Sequence, residues 1–194
     1  MGELLLIFIS AGLVNNIVLT HMLGVDPLIA TSKKNGAAAD TCLFMISTMP
    51  VVTAITYLFD FYLFSRFIAD YMQLTATVML IVITVLVNGL ILQRLLPQLF
   101  LRIEKIIPLM LVNSTLLGVV LFENNHINSF ISALLYGLGS AMGFSLVLMM
   151  FVSIRKRLNH PDIPRPFQGV AILFITLGLL SMGFLGLSGI TLAR

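Results

Sequence analysis

The stretch ELLLIFISAGLVNNIVLTHMLGVDPLIAT, residues 3–31, is apolar over almost its whole length. As one straight helix it would measure about 43 Å at 1.5 Å per residue, against roughly 30 Å for the hydrocarbon core of a bilayer. It also carries Asn15, Asn16, His21, Gly24, Asp26 and Pro27, residues that do not suit a smooth lipid-buried helix. The stretch therefore predicts a membrane span that is broken along its length. No basic segment and no small-residue cleavage site accompany it, so it is expected to be a retained span rather than a signal peptide.

Working outward, five further apolar runs cover residues 37–59, 74–93, 106–122, 127–152 and 167–190. Of the 194 residues 59% are hydrophobic and 10% charged, and the mean hydropathy is +1.07, a composition foreign to soluble domains. Backbone groups in lipid must be satisfied within their own segment, and the runs lack the alternation of barrel strands. The expected fold class is all-α integral membrane: six transmembrane helices in a single domain, residues 1–194. The net charge of +3 does not mark a nucleic-acid partner, because the basic residues sit in short connections between apolar runs. One cysteine, Cys42, excludes an internal disulfide and any metal or iron-sulfur site built from the cysteines of this chain alone.

Lys33, Lys34, Arg94, Arg102, Lys105, Arg155, Lys156, Arg157 and Arg165 fall in the connections after spans one, three and five, whereas only Arg66 and Arg194 fall on the other side. Nine basic residues against two place the first set in the cytoplasm. Both termini are then extracytoplasmic. The fourth run is short and contains Pro108, Asn113, Ser114 and Gly118, and it repeats the Leu-Val-Asn of residues 13–15 at residues 111–113. Leu-Val-Asn also occurs at residues 86–88. Interrupted first and fourth helices predict two inverted three-helix repeats, about 1–95 and 96–194, with a site near the bilayer midplane.

Leu13-Val-Asn-Asn-Ile-Val-Leu19, Leu23-Gly24, Pro27 and Ser32-Lys33-Lys34 resemble the opening of the Rnf/Nqr membrane subunits. The likeness continues through Pro108-Leu109, Asn113, Leu117-Gly118-Val119, Gly143-Phe144-Ser145-Leu146-Val147, Ile154-Arg155, Pro166-Phe167 and Ile175-Thr176. This resemblance implies a subunit of a complex that couples electron transfer to ion translocation in a bacterial inner membrane. It further implies a homologous partner of opposite orientation in the membrane, with a 2Fe-2S cluster shared between the two and two cysteines supplied by each. The positions here that match those cysteines are Asp26 and Ser114. Neither is a thiol, and hard oxygen ligands suit sodium, magnesium or protons better than iron-sulfur clusters. The expectation is a chain with no cofactor of its own.

An ionisable side chain within a span costs about 2.5 to 3.5 kcal/mol on insertion scales, so Asp26 is read either as an ion or proton site or as the cap of a half-helix starting at Pro27. Ser114, with Asn113, Asn15 and Asn16, could add oxygens, though hydrogen bonding between helices is their commoner use. His21 receives no role. Gly139, Gly143, Gly178, Gly183, Gly186 and Gly189 are read as close helix contacts, Arg155-Lys156-Arg157 as a cytoplasmic anchor, and Asp60, Asp70 and Glu123 as outer-loop residues. No nucleophile–base pair, phosphate-binding loop or metal-ligand spacing occurs, so no independent enzyme active site is expected. Besides the ion-translocating role, a redox-independent cation or small-solute transporter and a purely structural part of the complex remain as alternatives.

The topology has a direct test. Impermeant labels on cysteines placed at Lys156 and at Arg194 are expected to react from opposite sides of the membrane, and reaction from the same side overturns the span count or the orientation.

Overall fold

The computed structural model describes residues 2–32, 35–64, 70–111, 113–123, 129–158 and 164–188. Lys33, Lys34, Arg66, residues 124–126, Gly189 and Arg194 lie outside the described residues. Among the described residues the chain is helical and contains no strand. Three helices are long and apolar enough to cross a membrane: α4 (Asn35–Phe59, extended by a π-helical turn at Asp60–Phe64), α5 (Asp70–Leu95) and α9 (Phe130–Leu158). The shorter helices are α1 (Gly2–Ile9), α2 (Ile17–His21), α3 (Val25–Thr31), α6 (Pro97–Ile103), α7 (Ile107–Leu111), α8 (Ser114–Glu123) and α10 (Val170–Ser188). Asp60, Asp70 and Glu123 thus belong to helix ends rather than to outer loops, and Asp60 Oδ1 accepts from Gln73 Nε2 at 3.0 Å.

Helix α9 is the centre of the packing. On one side it meets α4 through Gly137, where a Cβ would lie 2.7 Å from Pro50 Cα and 2.3 Å from Thr53 Oγ1. Pro50 removes a backbone donor from the interior of α4, and the adjoining turn is tied by Thr53, whose hydroxyl donates to Met49 O at 3.2 Å. On the other side α9 meets the first span backbone to backbone. A Cβ on Gly139 would lie 2.6 Å from Phe8 O, and one on Gly143 would lie 2.4 Å from Gly12 O. The Gly-x-x-x-Gly pair expected to mediate close contact does so. Gly178, Gly183 and Gly186 do not, since nothing lies within 4 Å of a Cβ built on any of them. Among the described residues no helix closes on them along α10.

Side-chain hydrogen bonds fasten the remaining helices to this core. Asn88 Nδ2 on α5 donates to Thr48 Oγ1 at 2.6 Å and to Ser47 Oγ at 3.2 Å on α4, and Ser181 on α10 donates to Leu19 O. In a dry interior a hydroxyl or amide left without a partner is costly, which explains why so many buried Thr residues, among them Thr31, Thr48, Thr56 and Thr84, donate to carbonyls in their own helices.

The first apolar run is broken, as its length and polar content predict. After α1 it widens into a π-helical turn, Ser10–Val14, closed by Asn15 N–H on Ser10 O at 2.7 Å. It then breaks twice, once before α2 and once before α3. The second break is a reversal built on two left-handed residues, Met22 (φ 56°) and Gly24 (φ 76°). Helix α8 records its course. A Cβ on Gly118 would touch Ile17 Cγ2 at 3.4 Å, and His21 stacks on Phe122 with ring centroids 4.1 Å apart. The return passes Gly118 again through Leu23 and ends with Gly24 beside Ser114. The chain therefore runs along α8 from Ile17 to His21 and doubles back from Leu23 to Gly24.

The two sets of glycines separate in a stability measurement. Gly143→Val forces a side chain into the Gly12 carbonyl and is expected to cost about 1–3 kcal/mol, whereas Gly183→Ala should stay within about 0.5 kcal/mol of the parent. Equilibrium unfolding in mixed micelles reads both, and equal losses would contradict the packing around α9.

Candidate functional site

Two helix interruptions meet in the structure. The first precedes α3 and the second precedes α8, and Ser114 Oγ at the head of α8 accepts the backbone N–H of Gly24 at 2.9 Å. The groups lie 90 positions apart in the chain. An unpaired backbone donor in a buried break costs free energy comparable to a lost hydrogen bond, and the Ser114 hydroxyl satisfies this one while leaving its own proton free to donate. Gly24 has two reasons to be glycine. Its φ is left-handed, and a Cβ would fall 1.8 Å from Thr115 Oγ1. That Thr115 hydroxyl is buried and has no hydrogen-bond partner.

Asparagine caps the helix starts at α2 and α8. Asn16 Oδ1 accepts Val18 N–H at 3.1 Å at the start of α2, and Asn113 Oδ1 accepts Thr115 N–H at 2.9 Å at the start of α8. In each case the side-chain oxygen takes up a helix-terminal donor two residues on, the usual work of an N-cap. Asn16 Nδ2 further donates to Gly12 O at 3.0 Å, tying the cap to the surface that meets α9. Asn113 Nδ2 points at the sulfurs of Met110 at 3.5 Å and Met45 at 3.8 Å. Of the four polar residues flagged in the sequence, Asn16 and Asn113 are thus buried and committed to capping. The Leu-Val-Asn strings pair Asn15 with Asn113, but the structure gives the shared capping geometry to Asn16 and Asn113. Asn15 donates to Ser10 Oγ at 3.2 Å within its own turn.

Asp26 sits in the first turn of α3 and is exposed. Helix α3 starts at Val25, its N-cap is Gly24, and no side chain caps it. The reading of Asp26 as the cap of a helix starting at Pro27 is corrected: the carboxylate takes up no helix-terminal donor, and its structural contribution is a negative charge near the positive end of a helix. Ser114 is half-buried and bonded to Gly24, which lies two residues before Asp26.

Cys42 lies elsewhere, buried on α4 with its sulfur 3.8 Å from Ser145 O on α9. Among the described residues no group of three or more His, Cys, Asp or Glu is placed to hold a metal ion. Sequence reasoning missed Asn88, whose amide binds two hydroxyls of α4, and Arg155, which turns inward. Arg155 Nη1 donates to Ile29 O at 2.9 Å and also to Ser32 Oγ. Lys156 and Arg157 stay exposed as an anchor should.

Comparison with known proteins is consistent across the chain. Residues 4–191 match the family described as Rnf-Nqr subunit, membrane protein. An ion-translocating oxidoreductase complex subunit from Vibrio vulnificus (strain YJ016) is 34% identical over 190 residues, covering 98% of this chain and 99% of the relative. The proteins of the same name from Actinobacillus pleuropneumoniae serotype 5b (strain L20) and Aeromonas salmonicida (strain A449) are each 35% identical over 190 residues, covering 98% of both chains. With its apolar helices, its two interrupted segments and this match over nearly its full length, the chain belongs to the Rnf-Nqr family of membrane subunits.

Proposed function

We propose that this chain is a membrane subunit of an ion-translocating oxidoreductase complex, and that its paired helix interruptions form an oxygen-lined site for a cation or proton in place of an iron-sulfur centre. The observation that carries the reading is the Gly24 N–H to Ser114 Oγ hydrogen bond at 2.9 Å, which brings the two breaks to one place, two residues along the chain from the exposed Asp26. The donors at this locus are a carboxylate and a hydroxyl. Both are hard oxygens that fit sodium, magnesium or a proton, and they do not fit a cluster held by thiolates. The one cysteine is committed to the α4–α9 contact.

On this reading the chain crosses the membrane six times with both termini outside, as two inverted halves, each with an asparagine-capped helix start, at Asn16 and at Asn113. Asp26 is exposed on the isolated chain, so the site is half of a larger one, completed by a homologous subunit of opposite orientation. Redox centres then reside on partner subunits, while this chain holds an ion at Asp26 and offers the remaining lone pair of the Ser114 hydroxyl oxygen. A redox-independent cation or small-solute transporter is the second reading, favoured by the same replacement of thiols by oxygens. Ion uptake by the purified chain in vesicles without an electron donor would select that reading over the first.

Asp26→Asn keeps the size of the side chain and removes its charge. Transport per assembled complex is expected to fall about tenfold or more, the effect of losing a charged partner worth more than about 1.4 kcal/mol to a desolvated ion. A purely structural carboxylate at a helix start contributes about 0.3–1 kcal/mol of stability, so its loss would lower the amount of protein and leave transport per molecule unchanged. Normal transport per molecule in Asp26→Asn removes the functional reading of this residue.

A further inference from the structure

Helix α3, which carries Asp26, has seven residues. A helix this short does not persist in isolation, and inside a bilayer both of its ends carry backbone groups that need partners. The N-terminal end is held from across the chain by Ser114, which takes the Gly24 N–H. The C-terminal end is held from across the chain as well. Arg155, 126 positions after Ile29, donates through Nη1 to Ile29 O at 2.9 Å and to the Ser32 hydroxyl, which itself donates to Ile29 O at 3.0 Å.

Three features separate Arg155 from the basic cluster it belongs to. It is half-buried while Lys156 and Arg157 are exposed. Its guanidinium reaches two oxygens of a different segment. It also lies at the negative end of the α3 dipole, the mirror of Asp26 near the positive end. Arginine suits the task because its planar head keeps its charge in a partly dry setting and directs several donors at once. Ser32 is buried and Thr31 donates to Pro27 O at 2.6 Å, so the last turn of α3 has every side-chain hydroxyl engaged.

We infer that Arg155 is a positioning residue: by clamping the C-terminal end of α3 it fixes the height and orientation at which Asp26 is presented. The inference rests on the proposed role of Asp26 for its functional half and on geometry alone for its structural half.

Hydrogen exchange on the assembled complex tests the geometry. In Arg155→Gln the amides of residues 25–32 are expected to exchange about tenfold faster or more, the effect of losing a charge-assisted hydrogen bond, while the segments of α4 and α9 keep the parent rate. Arg155→Lys should restore part of the protection, and Ser32→Ala should loosen the same segment to a smaller degree. Unchanged exchange over 25–32 in Arg155→Gln, or an equal rise across α4 and α9, overturns the clamp. Should Arg155→Gln not accumulate, unchanged exchange in both Arg155→Lys and Ser32→Ala overturns it equally. For function, the sodium or proton concentration giving half-maximal transport is expected to rise several-fold in Arg155→Lys at an unchanged amount of complex. A fall in amount with an unaltered half-saturating concentration would leave only a structural residue and overturn the positioning role. Faster exchange over 25–32 together with normal transport in Asp26→Asn would retain the clamp and remove the site reading, so the two failures are distinguishable.

Discussion

Lipid offers no hydrogen bonds, and this membrane-family chain interrupts its apolar helices. Each break frees backbone donors and acceptors that water would satisfy in a soluble protein. The polar residues around the breaks answer that demand: Asn16 and Asn113 take up amide protons two residues on, Ser114 takes the Gly24 amide, and Arg155 takes the Ile29 carbonyl. The breaks are therefore fully built features, held by contacts that come from distant parts of the sequence. Only the Thr115 hydroxyl, pressed against Gly24, and the Ser140 hydroxyl are buried without a partner among the described side chains.

This economy of polar contacts depends on a close scaffold. Helix α9 can approach the first span and α4 because Gly12, Gly137, Gly139 and Gly143 remove side chains at the crossing points. Van der Waals contact of backbone on backbone replaces the hydrophobic drive that membranes lack. The contact at Gly143 also reaches the cap, since a Cβ there would meet Asn16 Nδ2 at 2.9 Å. Packing at the centre and hydrogen bonding at the break are thus mechanically joined through one asparagine.

Much of this was legible in the sequence because membranes impose blunt rules. Apolar runs of bilayer length mark long helices such as α5 and α9, and a run too long for one span, strewn with Asn, Gly, Asp and Pro, marks a break. The flagged Ser114 bonds to Gly24, two residues before the flagged Asp26. Other parts were illegible for physical reasons. Three-residue identity could not tell Asn15 from Asn16, because the capping register is set by backbone geometry one residue away. Glycine is equally apolar whether or not it meets a helix, so Gly139 and Gly183 read alike. Nothing in Arg155-Lys156-Arg157 distinguishes the arginine that turns inward from the two basic neighbours that remain outside, since that depends on where α3 ends, at a carbonyl 126 positions earlier.

The bond between Gly24 and Ser114 also has a bearing on how the protein is made. Its acceptor is synthesised 90 residues after its donor, a delay of roughly 5–20 s at 5–20 residues per second. Until then the doubled-back segment from Met22 to Gly24 lacks the Ser114 partner for that amide, and residues 10–31 cannot settle into their final shape. The Arg155 clamp arrives later still. This early segment is thus among the last to be completed, so its shape is a product of assembly rather than of insertion, and a nascent chain halted before Ser114 would hold it in some other conformation.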